Sequence, residues 1–359
     1  MVKRRKTRTV NIGKVAVGSG SPVSIQSMAK TDTRDVDATV KQINRLGEAG
    51  CEIVRVAVKD MDAAKAISSI KSEIKLPLVA DIHYDHTLAL EAVKRGADKI
   101  RINPGNITKP EDVEKVIDVC ASKGIPIRIG ANSGSLPEKF SGSVTPSEIM
   151  ARGVLKYLEM FRKKNFNDII ISLKASDVPE TVGAYRALAG ECDYPFHVGV
   201  TAAGSKETGT VKSAVGIGAL LLDGIGDTIR VSLTGDPVEE VVAARKILSS
   251  SGARSFGPEV ISCPTCGRCQ VDLLSIAGEV EKAVEELCCT SSIKPRKFTV
   301  AVMGCEVNGP GESEAADIGV AFGKGSGAIF RRGKIVRTVK VSEAVGVLME
   351  MIREELGEG

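Results

Sequence analysis

The chain contains no tryptophan, and only four tyrosines and eight phenylalanines. So few aromatic faces argue against the stacking platforms that bind single-stranded nucleic acid. An excess of one charge is also missing. Lys and Arg number 49 against 45 Asp and Glu, a net charge of +4, so any strong positive field must be local. No run reaches the roughly 18 apolar residues of a membrane span. The start, "MVKRRKTRTVNIG", is basic with no apolar stretch behind it, and reads as a solvated tail rather than a secretory signal. These absences point to a cytoplasmic protein acting on neither nucleic acid nor membrane. Thiols stay reduced there, and clustered cysteines bind metal more often than they form disulfides.

What is present is ordinary for an α/β protein: 43% hydrophobic residues, 26% charged and 37 glycines. A length of 359 residues suits one domain of about 250 residues and a smaller one. Over the first 250 residues a short β-rich run, a polar turn and an amphipathic helical pattern recur. The runs are "VSIQSM" (23–28), "EIVRVAV" (52–58), "LPLVADIH" (76–83), "KIRINPG" (99–105), "IPIRIGAN" (125–132), "DIIISLKAS" (168–176), "PFHVGVTA" (195–202) and "TIRVSLTG" (228–235). Between them lie segments such as "DVDATVKQINRLGEAG" and "PEDVEKVIDVCASKG", with apolar residues three or four apart. Nearly continuous apolar runs are the mark of buried parallel strands. Eight such units predict a (β/α)8 barrel of the TIM type over residues 1–252. An open doubly wound sheet fits less well, because no G-x-G-x-x-G turn follows the first run.

Polar residues cluster toward the C-terminal end of each run, where barrel active sites form. Arg55, Arg101, Arg128, Lys174 and Arg230 are expected to converge over one mouth, with Gln26, Asp81, His83, Asn103, Asn132, Ser172, Thr201 and Ser232 beside them. Five cations in a concave site repel one another unless an anion joins them, and the arginine fork fits phosphate. A substrate with about two phosphate groups follows. His83 is expected to hydrogen-bond or handle a proton rather than bind metal. His86 is read as structural, and His197 as a satisfied core or rim histidine.

Residues 249–257 are rich in serine and glycine and read as a linker. A second, α+β domain is expected over 258–359. It holds "SCPTCGRCQVD", a helical run (271–289), a strand "KFTVAVMG", a loop "CEVNGPGE", a basic hairpin and a final helix. Cys263, Cys266 and Cys269 occupy seven positions. A zinc site needs four Cys or His ligands, usually as two close pairs, and no second C-x2-C and no histidine follow. A thioredoxin-like pair belongs inside a βαβ unit. An iron–sulfur cluster fits best, and spacing alone would include Cys269. Cys305, ahead of a Gly- and Pro-rich loop, is a further ligand candidate. Cys51, Cys120 and Cys192 read as inert, and Cys288 and Cys289 end a helix with diverging side chains.

"SCPTCGR" followed by "VMGCEVNGPGE" resembles the 4-hydroxy-3-methylbut-2-enyl diphosphate synthases of the non-mevalonate isoprenoid pathway. "ADIH", "KIRINPGN", "IRIGANSGSL", "VGVTAAG" and "VKSAVGIGALLLDGIGDTIRVSLTGDPVEEV" extend the resemblance over nearly the whole chain. It implies a 4Fe-4S cluster on Cys263, Cys266, Cys305 and Glu312, leaving Cys269 outside the set. The carboxylate of Glu312, a harder and more exchangeable ligand, marks the position open to a substrate oxygen. It further implies reductive ring opening of 2-C-methyl-D-erythritol 2,4-cyclodiphosphate. The diphosphate is held by Arg55, Arg101, Arg128, Asn132, Lys174, Thr201, Arg230 and Ser232, with Asn308 on the cluster side. Electrons come from reduced ferredoxin or flavodoxin, and Arg331, Arg332 and Lys334 offer a docking surface, although a solvated charged face accounts for them better. A homodimer is implied, one subunit's cluster domain capping the other's barrel. The chain departs from the family at Ala202, where T-E-A-G is usual. The missing glutamate is a plausible proton donor for loss of the hydroxyl. Competing readings are a metal-dependent or pterin-binding barrel enzyme with a zinc domain, and a non-catalytic iron–sulfur electron carrier.

Overall fold

A computed structural model describes residues 2–132, 145–290, 298–306 and 316–356, the side chains of 288–290 excepted. It divides into two compact units, Met1–Arg254 and Ser255–Gly359.

In the first unit the eight apolar runs are eight parallel strands: β3 (Ser24–Met28), β4 (Ile53–Val58), β5 (Leu78–Ile82), β6 (Lys99–Ile102), β7 (Ile127–Asn132), β8 (Ile169–Lys174), β9 (His197–Val198) and β10 (Thr228–Ile229). β3 through β8 pair in sequence order, and β10 joins β3 to β9. The ring closes where Ile171 bridges Phe196 and its N–H donates to the Pro195 carbonyl at 3.0 Å. The helix after each strand is, in order, α1 (Val36–Glu48), α2 (Met61–Glu73), α3 (His86–Lys94), α4 (Pro110–Lys123), α5 (Pro146–Lys163), α6 (Val178–Ala189), α7 (Lys206–Leu222) and α8 (Pro237–Ser250). The turns into them follow one recipe. Asp35, Asp60, Asp85, Asp177 and Asp236 accept a backbone N–H of the first helical turn through their side chains, and Thr145 with Glu148 forms a capping box.

The basic start is not a solvated tail. Residues 10–17 form a hairpin, β1 (Val10–Ile12) and β2 (Val15–Val17), turned at Gly13. Its Val10, Ile12 and Val17 pack on Ile53, Val79 and Ile170, at the beginnings of their strands, and so plug the bottom of the barrel. Arg4 donates to the Gly18 carbonyl and pairs with Asp227 at 2.8 Å. The Arg5 guanidinium lies 3.9 Å from the centre of the Phe196 ring and donates to the Ala189, Cys192 and Tyr194 carbonyls. Arginine serves here as a multiple donor to backbone carbonyls at the end of α6 and in the turn into β9.

In the second unit β11 (Pro258–Ser262), β12 (Phe298–Met303) and β13 (Ile318–Phe322) are parallel, and β14 (Ser326–Arg331) and β15 (Lys334–Lys340) add an antiparallel hairpin in the order β11-β12-β13-β14-β15. α9 (Leu273–Thr290) and α10 (Ala344–Leu356) pack their apolar residues, among them Val280, Val284, Leu348 and Ile352, on the sheet's Val300, Ile318 and Phe322. The sequence reading missed β11 and β13. The segment "PEVIS" is half exposed and runs on from the linker, and "IGVAF" sits in a stretch rich in glycine.

Candidate active site

Because side chains alternate along a strand, residues two apart on β6, β7 and β8 face the same way. In the barrel this turns a ring of charge inward. Arg101 and Arg128 are register partners on β6 and β7, Asp81 is Arg101's partner on β5, and Asn132 pairs with Lys174. Arg101 Nη1 meets Asp81 Oδ1 at 3.0 Å, and its Nη2 donates to the Gly130 carbonyl at 3.2 Å. Gly130 must lack a side chain, since a Cβ there would stand 2.8 Å from Arg101 Nε. Arg55 lies 3.8 Å from Asp81 and donates to Met28 Sδ at 2.8 and 3.0 Å, a weak acceptor for a guanidinium. Arg230 pairs with Glu240 of α8 at 3.3 Å, and Glu240 also takes Lys30 at 3.1 Å, the Leu233 N–H and the Ser27 hydroxyl.

The electrostatics follow from this crowding. Burial, with Arg230 and Arg101 nearby, lowers Arg55 to about 10. Burial and then the surrounding arginines push Arg128 and Lys174 well below their usual ranges. Burial opposes charge on Asp81, yet Arg55, His83, Arg101 and Arg128 together hold its carboxyl well below the ordinary carboxylate range. Arg55, Arg101, Arg128, Lys174 and Arg230 are thus brought together. Asn132 and Ser232 lie half-buried at the rim, and the Thr201 N–H donates to the Ala175 carbonyl at 3.2 Å. His83 is 49% exposed with Nε2 3.7 Å from Asp81. His86 stands 3.4 Å from Asp112. Ala202 is exposed and has φ +48°, a left-handed conformation that costs a non-glycine residue energy.

In the second unit the cysteine-bearing segments leave the same end of two adjacent parallel strands, Ser262 being level with Val302. Cys263, Cys266, Cys269 and Cys305 line one cavity of about 100 Å³ with Pro264, Thr265, Arg268 and Gly304. The Gly304 N–H points to Cys263 Sγ at 3.4 Å, the kind of bond that stabilises a thiolate. Cys269 differs in its contacts: its thiol donates to the Val271 carbonyl at 3.2 Å, and a Cβ on Gly304 would come within 2.5 Å of its sulfur. Among the described residues no three His, Cys, Asp or Glu side chains converge on a point that would hold one metal ion. Glu312 and Asn308 lie outside the described residues.

A family model described as the GcpE TIM-barrel domain matches residues 7–245, and one described as the GcpE C-terminal domain matches residues 259–354. The chain belongs to the GcpE family. Curated relatives of this GcpE chain include proteins named 4-hydroxy-3-methylbut-2-en-1-yl diphosphate synthase (flavodoxin). The Caldanaerobacter subterraneus protein is 51% identical, covering 99% of this chain and 100% of its own. The Clostridium perfringens protein is 52% identical, covering 98% of this chain and 99% of its own.

Two residues of the GcpE barrel were not found from sequence, and a third was read only in part. Lys99, fully buried, shares the inward face of β6 with Arg101; the alternation in "KIRI" carried that signal. Glu240 arrives from α8, and nothing near it in sequence marks it as an acceptor for strand residues. His197 is a core residue as expected but not a satisfied one, since neither ring nitrogen has a hydrogen-bond partner among the described residues. Burial, Arg128, Lys174, Lys99 and Arg55 all oppose its protonation.

Proposed function

We propose that the chain is a 4-hydroxy-3-methylbut-2-enyl diphosphate synthase, an oxidoreductase that opens the ring of 2-C-methyl-D-erythritol 2,4-cyclodiphosphate with two electrons and loss of water. The observation that carries this reading is the surplus of buried cations in the barrel. Among the described residues Arg55, Lys99, Arg101, Arg128, Lys174 and the mostly buried Arg230 have Asp81 and Glu240 as their buried carboxylate partners. Confined like charges repel strongly at low dielectric, and a diphosphate is the ligand that offsets them. In this reading Arg55, Arg101, Arg128, Lys174 and Arg230 hold the phosphates. Asn132, Thr201 and Ser232 add neutral contacts at the rim, Asn308 adds one from the second unit, and His83 handles a proton.

Cys263, Cys266, Cys305 and Glu312 would hold a 4Fe-4S cluster. Soft sulfur ligands on one cavity with an N–H aimed at Cys263 Sγ fit such a group. When bound, the cluster supplies the electrons of the reduction one at a time. Reduced flavodoxin or ferredoxin is the donor, and the relatives' names favour flavodoxin. The chain acts as a homodimer, a reading that rests on the family resemblance, and in the cytoplasm, a reading that rests on its sequence composition. No described helix is long and apolar enough to cross a membrane.

The cyclic diphosphate at about 100 times its Kd should stabilise the protein by about 2.7 kcal/mol, read as a rise in Tm. Arg128→Met should abolish the rise. An unaltered Tm in the wild-type chain contradicts the reading and favours an electron carrier, which has no use for these cations.

A further inference from the structure

One step below the mouth lies a tier of side chains that the substrate assignment leaves unused. Lys99 stands two residues before Arg101 on β6, and its one hydrogen bond among the described residues runs from Nζ to Gln26 Oε1 at 3.1 Å. Ser24, Thr228 and His197 are level with one another across β3, β10 and β9, so their side chains share the inward face. Among the described residues Gln26 Nε2, both ring nitrogens of His197, Nε and Nη1 of Arg128, Ser24 Oγ and Thr228 Oγ1 are buried and have no partner. Donors outnumber acceptors on this tier. Neither nearby carboxylate serves it, because Asp81 is engaged by Arg101 and Arg55, and Glu240 by Arg230, Lys30, Ser27 and Leu233. An ammonium buried without a counterion is costly, and an apolar side chain of the same length would pack there at no such cost.

We propose that Lys99 is a positioning residue for the anion at the barrel mouth, forming with Gln26 and His197 a floor whose charge is completed by a phosphate held above it on Arg128. The inference rests on the diphosphate reading given above and extends it from the rim into the barrel. Arg128 is the link: among the described residues its Nε and Nη1 have no partner, and it and Arg55 are the cations felt most strongly at Lys99. With protein groups alone, burial and these two arginines work against charge on Lys99. A phosphate reverses that balance, so the lysine contributes to binding only when an anion is present. An uncharged ligand gains nothing from it.

Inorganic pyrophosphate is the probe, titrated calorimetrically into full-length wild type, Lys99→Met and Lys99→Gln, with Tm measured for each. The expected result is binding weakened about tenfold or more in both variants. Tm should be unchanged or raised, because removing an uncompensated buried charge relieves the fold. A lysine kept for packing would give the reverse, a lower Tm with unchanged affinity, and that result overturns the proposal. So does equal affinity in wild type and variants, which leaves the diphosphate reading standing, or failure of both variants to fold. If the wild-type chain binds neither pyrophosphate nor the cyclic diphosphate, the diphosphate reading itself fails.

Discussion

Cys269 and Cys266 are three residues apart and line the same cavity, yet their surroundings differ. Cys266 is exposed, whereas Cys269 is half-buried, its thiol tied to the Val271 carbonyl and its sulfur packed against the one face of Gly304 that lacks a side chain. Cys269→Ser should therefore retain iron and visible absorption after anaerobic purification, while Cys263→Ser should lose both; loss of colour in Cys269→Ser would return that residue to the ligand set. Spacing alone made three equal cysteines, and the local bond to Val271 together with packing against the distant Gly304 separates them. Ala202 is a second case. The exposed left-handed position at the rim can carry a longer side chain without a core clash. Ala202→Glu should raise product formation about tenfold or more if a carboxylic acid there donates the proton. An unchanged rate in a steady-state assay would discard that role.

At the level of strands and helices, the barrel was legible because parallel strands buried on both faces leave an apolar run each, and all eight runs became strands. The arginines at their ends were legible for a related reason: a charge in an apolar run must point somewhere useful. What escaped depended on distant partners. Arg5 donates to carbonyls some 190 positions away, so its partial burial leaves no local trace. Asp81 shows what such pairing does to stability. Its folded-state carboxyl is held far below the unfolded value of about 3.9, so its contribution is complete above that pH and is lost as pH falls. Asp81→Asn should cost about 3–5 kcal/mol near pH 7, because it leaves Arg55 and Arg101 uncompensated. Below about pH 4 the gap between the two denaturation curves should begin to narrow, closing only well below that as the folded-state carboxyl protonates. A constant gap across that range would show that the pairing is not what Asp81 supplies.

For the molecule as a whole, two compact units carry two different chemistries. One is a cluster of buried cations inside the barrel; the other is a cavity of thiols at the ends of parallel strands. Neither alone performs a reductive elimination. In the proposed reading the first would bind the diphosphate and the second would hold the electron-carrying cluster. Membership of one family over both units joins them in one reaction. The most direct test is an anaerobic assay of the full chain, loaded with about four iron and four sulfide. It is given the cyclic diphosphate and a strong reductant, and the linear allylic diphosphate is followed. Product whose amount scales with loaded cluster and vanishes in Cys305→Ser is the predicted result. No product from fully loaded protein, or the same product from protein carrying only zinc, would contradict the account.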